Sequence, residues 1–174
     1  MERTFEQVDR KVRGKSFGIL STIGPSGSVQ SSGVQYAVSS GGSSFALYIL
    51  SDSSYVKVRN IQHDPRISFV IPFPHHMLRF VPAPTVSFQG TAEILPFDDP
   101  VARGAYSGRA QKRMVRFTEN SKYRATAVFL KLAPFGKLVC FGLGIKLTQM
   151  MKDPASALYN VRIPTERQQG QKEQ

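Results

Sequence analysis

Leu47-Tyr48-Ile49-Leu50-Ser51-Asp52-Ser53-Ser54-Tyr55-Val56-Lys57-Val58-Arg59-Asn60 passes from an apolar run, through small hydroxyl residues, into mixed apolar and basic residues. The first part reads as a buried strand and the last as a short helix. Asp52, Ser53 and Ser54 are residue types that cap helix starts. His63-Asp64-Pro65 stops the helix after Gln62. A helix start offers free N–H groups and the positive end of a dipole to an anion. Lys57 adds a cation, and Ser51, Ser53 and Ser54 add hydroxyl donors. The junction therefore suits a phosphate. The alternative is an ordinary capped helix with a solvated lysine.

Upstream, Phe5, Val8 and Val12 recur at helical spacing between charges, so 4–13 is a short amphipathic helix ended by Gly14. Residues 16–23 read as a strand, Gly24-Pro25-Ser26-Gly27 as a turn and Val29 to Val38 as the second strand of a hairpin. Gly33 inside that strand suggests a close approach by backbone or ligand. Residues 39–44 turn the chain into a third strand, Phe45 to Leu50.

Downstream of the helix, Arg66 to Ile71 is a fourth strand. Four prolines between Pro72 and Pro84 make the next stretch a loop. Thr85 to Leu95 is a fifth strand. Val101 to Ser121 reads as one helix, with Met114, Val115 and Phe117 inward, and Asp98-Asp99 as its start. Ala125 to Leu132 and Lys137 to Gly142 are the sixth and seventh strands, and 145–151 is a short helix or an extended segment. Residues 1–164 make one domain, and the polar tail 165–174 is expected to be disordered. Six to seven strands joined mostly by hairpins give a mainly β fold with helical cover, an antiparallel barrel. The first three strands have no crossover helices, which excludes a parallel sheet.

Composition narrows the function classes. The chain has 174 residues, long enough for a real core. It has no apolar run approaching the ~20 residues of a membrane span. The single cysteine, Cys140, excludes an internal disulfide and sits among apolar residues as a buried small one. With no apolar leader after Met1, the reading is cytoplasmic. The net charge of +11 invites a nucleic-acid reading, but the cations are scattered and no zinc spacing or aromatic-basic repeat accompanies them. His75-His76 lacks further ligands at metal or heme spacing, so no metal site is expected.

Four passages, in order, resemble the pyridoxamine 5'-phosphate oxidase-like family of flavin-binding split barrels. They are Phe17-Gly18-Ile19-Leu20-Ser21-Thr22 with the following turn, and Lys57-Val58-Arg59-Asn60 with Asp64-Pro65-Arg66. The third is Gly90-Thr91-Ala92-Glu93, and the fourth is Gly142-Leu143-Gly144 with Val161-Arg162-Ile163-Pro164. The resemblance covers residues 5–164. It implies a split-barrel homodimer with its cofactor at the subunit interface, usually FMN, in some branches the deazaflavin coenzyme F-420 and in a few heme. An oxidoreductase passing hydride to or from a small organic substrate follows. A flavin- or heme-binding protein without turnover is the alternative, and a basic nucleic-acid-binding barrel the second.

Carried over by residue, Lys57 matches the family's phosphate-binding lysine, and Ser51 a strand-end position that also touches the phosphate. Ser31, Ser32, Gly33 and Val34 match the strand lying along the flavin ring. Tyr55 and Val56 match the loop beside Lys57, and Thr85 a ring contact from the second subunit. The loop holding His75 and His76 matches the mouth of the active site. Ser31 and Val56 stand where the family's vitamin B6 oxidases carry arginines, and the chain has no tryptophan. True pyridoxamine phosphate oxidation is therefore not expected, and no catalytic acid or base is identified.

Overall fold

The computed structural model describes residues 4–74, 82–145 and 147–168. The chain begins with α1 (Phe5–Arg13), which buries Phe5, Val8 and Val12. Its expected amphipathic stripe is thus the face that seats it on the barrel. β1 (Phe17–Ile23) and β2 (Val29–Gln35) form the expected hairpin, paired from Phe17 with Gln35 to Ile23 with Val29.

The second strand departs from the sequence reading in an informative way. It breaks at Tyr36, and the remainder, β3 (Ala37–Val38), pairs with β4 (Leu47–Asp52) instead of β1. Tyr36 is buried, its N–H donates to Ser16 O at 2.8 Å, and its phenol donates to Val12 O at 2.8 Å. These bonds hold the bend.

After α2 (Val56–His63) come β5 (Arg66–Pro72) and the long β6 (Thr85–Pro96). The single helix expected over 101–121 is two, α3 (Pro100–Ala105) and α4 (Arg109–Glu119), followed by a 3-10 turn, Lys122–Ala125. Asp99 caps α3 by accepting from Ala102 N at 2.8 Å, as expected of a helix start. The break falls at Tyr106, whose side chain is driven into the fold and fully buried. It resets the phase of α4, so Val115 is buried but Phe117, expected inward, is 68% exposed.

β7 (Ala127–Pro134), β8 (Lys137–Phe141), α5 (Leu147–Lys152) and β9 (Leu158–Arg162) complete the described strands and α-helices. β9 was not among the expected strands. It reads Leu-Tyr-Asn-Val-Arg, too short and mixed to show a period, and pairing with β8 defines it. Part of the expected tail is docked: Phe45 N donates to Arg167 O at 2.7 Å, and Arg167 Nε to Ser43 O at 2.6 Å.

The nine strands among the described residues run β2-β1-β5-β6-β7-β4-β3, with β8 joining β6 to β9. Adjacent strands along this path pair antiparallel. β2 and β3 lie at the two ends of that path, yet only Tyr36 separates them in the chain. The sheet must therefore curl until its edges meet, which is a barrel. The strands beyond the expected six to seven come from this broken strand and from β9.

Inside, Leu20, Leu47, Ile49, Phe69, Val86 and Leu132 belong to one core. Burying each such side chain stabilises the fold by about 1.5–3 kcal/mol. A second cluster, with Tyr48, Phe97, Tyr106 and Phe129, lies under α3 and α4. Cys140 is fully buried, as its neighbours implied. No described helix is long and apolar enough to cross a membrane.

Candidate functional site

Among the described residues β2 pairs with β1 on one side only, so its other edge is free of them. β4 leaves β3 after Tyr48 and runs on to Asp52 without a strand partner on that side among the described residues. The phenol of Tyr106 substitutes there, accepting from Leu50 N at 2.7 Å and donating to Tyr48 O at 3.2 Å. Burial pushes the Tyr106 hydroxyl's pKa up, so it remains a neutral donor. Beyond this plug the barrel wall parts, and α2 begins.

A groove of about 580 Å³ lies between the free edge of β2 and the start of α2. Thr22, Gln30, Ser31 and Ser32 form one wall, and Ser54, Tyr55, Val56 and Lys57 the other. Five sequence-predicted residues thus meet at one place: Ser31, Ser32, Tyr55, Val56 and Lys57. Ser54, expected as a hydroxyl donor at the helix start, joins them there, whereas Thr22 and Gln30 were not foreseen. Thr22 carried a signal, because it is the polar member of the inward-facing series Gly18, Leu20, Thr22, and it is 1% exposed.

The start of α2 differs from the expected cap. Tyr55 is its N-cap, with no side-chain hydrogen bond to the helix. Asp52 instead accepts from Ser54 Oγ at 2.6 Å and Ser54 N at 2.9 Å, and also from Thr126 Oγ1. The Ser54 and Thr126 hydroxyls, with the Ser54 N–H, hold the Asp52 carboxyl below its usual pKa. The local acid is therefore committed, and the helix start is left open.

Lys57 is half-buried, and its Nζ lies 4.6 Å from the centre of the Tyr55 ring. No carboxylate among the described residues pairs with it. Burial lowers its pKa from the usual lysine value. A partly desolvated cation facing a groove, beside hydroxyls and an uncapped helix start, forms a receptor for an anion.

Asn60 fixes this wall. It lies one turn along α2 from Lys57 and is 3% exposed. Its Nδ2 donates to Thr22 Oγ1 at 3.0 Å and to Gln30 Oε1 at 3.2 Å. The Lys-x-x-Asn spacing thus carries two jobs: lysine to the groove, asparagine to the barrel.

The other predicted residues lie elsewhere. Ser51 is on the strand face of Leu47 and Ile49, 9% exposed, and its Oγ has no hydrogen-bond partner among the described residues. It borders a neighbouring pocket of about 230 Å³ that shares only Tyr55 with the groove. Val34 is buried in the core. At Gly33 an added Cβ would come within 2.9 Å of the Phe17 ring, so the space that glycine leaves is used by the chain's own side chain. Thr85 pairs with Pro72 and Phe141, at the end of the sheet away from Thr22. The His75-His76 loop lies outside the described residues. Among the described residues no cluster of His, Cys, Asp or Glu forms a metal site.

The family model described as "Pyridoxamine 5'-phosphate oxidase" matches residues 4–135. No curated protein matches the sequence. Solved structures share the fold at low identity. A conserved hypothetical protein from Mycobacterium tuberculosis is 23% identical, with a TM-score of 0.56 over 78% of this chain and 82% of that one. A heme binding protein from Mycobacterium smegmatis is 18% identical, with a TM-score of 0.64 over 93% of this chain and 60% of that one. HutZ, the heme storage protein of Vibrio cholerae, is 14% identical, with a TM-score of 0.62 over 82% and 98% respectively. With strand order, curled sheet and family match in agreement, the chain belongs to the pyridoxamine 5'-phosphate oxidase-like family of split barrels.

Proposed function

We propose that the groove binds a phosphate-bearing redox cofactor, FMN or alternatively the deazaflavin coenzyme F-420, and that the protein is an oxidoreductase of a small organic substrate. The observation that carries this is Lys57, a half-buried cation without an ion pair among the described residues, facing a hydroxyl-lined groove. The groove's volume lies within the ~300–1,000 Å³ of small-molecule and cofactor sites. Either cofactor supplies hydride chemistry at its ring when bound.

Lys57 and the first N–H groups of α2 would hold the phosphate. Ser31, Ser32 and the free edge of β2 would meet the ring's polar rim. Asn60 positions Lys57 by pinning α2 to Thr22 and Gln30. Catalysis would then rest on position and on exclusion of water.

The outward face of the β1–β2 hairpin supports a homodimer. Phe17, Ile19 and Val29 are 51%, 38% and 69% exposed there. Large apolar side chains grouped on one sheet face are the mark of an interface. In a dimer Thr85 would serve the partner's groove, since it lies far from the groove of its own chain.

Two of the structural relatives are named for heme, which makes heme the second reading. Separate titrations of the protein with FMN, F-420 and hemin decide among them. Saturable binding of FMN or F-420 that Lys57→Ala weakens supports the first reading. Binding of hemin alone replaces it, and binding of none of the three overturns both.

A further inference from the structure

A cavity of about 560 Å³ lies away from the groove, between α1 and the segment that joins β8 to α5. α1 packs on β3 and β9, whereas α2 packs on β1 and β6, so the two sites are under different helices. Val8 and Leu143 form its floor; both are members of the main core, 2% and 5% exposed. Tyr159 forms a side wall, and its hydroxyl donates to Leu143 O at 2.8 Å. Gly142 and Gly144, with φ of 65° and 75°, turn the chain on both sides of Leu143. Residues with a Cβ rarely adopt those angles. This double turn directs Leu143 into the core.

The rim is basic. Gln7, Arg10 and Lys11 share one side of α1, at positions i, i+3 and i+4. Asp9 does not neutralise this side, because it pairs with Arg13 at 3.0 Å. No carboxylate among the described residues pairs with Arg10 or Lys11, and no acidic residue among the described ones lines the cavity. An apolar floor under two cations and two carboxamides (Gln7 and Gln149) has the chemistry of an amphipathic anion's site.

We infer that this cavity is a second ligand site, taking a small amphipathic organic anion, an aliphatic or aromatic carboxylate. The apolar body lies on Val8, Leu143 and Tyr159, and the carboxylate meets Arg10 and Lys11. The site is independent of the Lys57 groove and of what that groove binds.

The test uses the full chain and two probes, anilinonaphthalene sulfonate read by fluorescence and dodecanoate as its competitor. The wild type is expected to bind the probe saturably, one per chain, and dodecanoate to displace it. Arg10→Gln/Lys11→Gln should weaken both ligands by roughly tenfold or more, the scale of lost charge-assisted contacts. Lys57→Ala should leave them unchanged. Both cations are exposed, and circular dichroism checks that the variant folds; if the double variant melts early, Lys11→Gln alone is read. Absence of saturable binding to the wild type overturns the inference. So does equal affinity in the Arg10/Lys11 variant, or loss of binding in Lys57→Ala alone.

Discussion

The phenol oxygen of Tyr106 accepts the backbone N–H of Leu50 at 2.7 Å, in the position where a neighbouring strand would otherwise pair with β4. One side chain from the helical insertion thus satisfies a main-chain group that the parted wall exposes. Tyr106→Phe leaves the Leu50 N–H and Tyr48 C=O without this partner. It should destabilise the protein by about 1–3 kcal/mol, the cost of burying unsatisfied polar groups. Thermal or urea unfolding measures it, and an unchanged midpoint would show that water replaces the phenol.

Lys57→Ala should weaken FMN or F-420 by about 1.5–3 kcal/mol, the range for a hydrogen bond to a charged group. Lys57→Met, which keeps the stem without the charge, should weaken the cofactor similarly and leave the ligand-free protein no less stable. Calorimetric titration and thermal melts separate the two effects.

The same residue sets a pH dependence. Burial lowers its pKa from the ordinary 10.5, and a bound phosphate raises it again. Affinity is therefore full below the lowered pKa and declines as pH rises from there toward the bound-state value, with uptake of up to one proton per phosphate bound. For the free protein the sign is opposite. The unfolded chain keeps the proton to higher pH, so Lys57 adds stability as pH rises through the window between the lowered value and 10.5. Binding measured across alkaline pH in wild type and Lys57→Met tests this; the slope must vanish in the variant.

Gly90→Ala should destabilise by at least the ~1–3 kcal/mol of an overpacked core. A Cβ there would overlap the carbonyl of Ala133, where β6 crosses β7, and backbone cannot move aside as a flexible side chain can. Denaturant unfolding reads the effect, and tolerance of alanine would mean that the two strands separate readily at this point.

Asp replacing both Phe17 and Ile19 should leave the barrel folded and abolish self-association, since both side chains point outward. Light scattering on wild type and variant measures the mass. A monomeric wild type would remove the dimer.

The hairpin, the buried third strand and its helix were legible in the sequence because their apolar periods are clean. Ser31, Ser32, Tyr55, Val56 and Lys57 were singled out through the family resemblance rather than any period, Lys57 also as the cation at the helix start, and the structure brings them to one groove. The break at Tyr36 was not legible, because Val29 to Val38 is an unbroken extended run and only the distant edge of β4 reveals that its end is shared. The split of the 101–121 helix was hidden for a similar reason. Tyr106 leaves the helix for bonds to Leu50 and Tyr48, residues far back in the chain. Asn60 stood in view as a polar residue on the inner side of α2, but its partners Thr22 and Gln30 become neighbours only when the hairpin folds beneath it.

The bend at Tyr36 has a consequence for how this protein can evolve. Above the bend the chain closes the ring through Ala37 and Val38; below it the same chain turns away and leaves the slot. Closure and opening are two outcomes of one residue's geometry. Substitutions that extend the Ala37-to-Tyr48 pairing toward Gln35 and Leu50 would strengthen the wall and narrow the slot together. Selection for a sturdier barrel and selection for an accessible one act on this hinge in opposite directions.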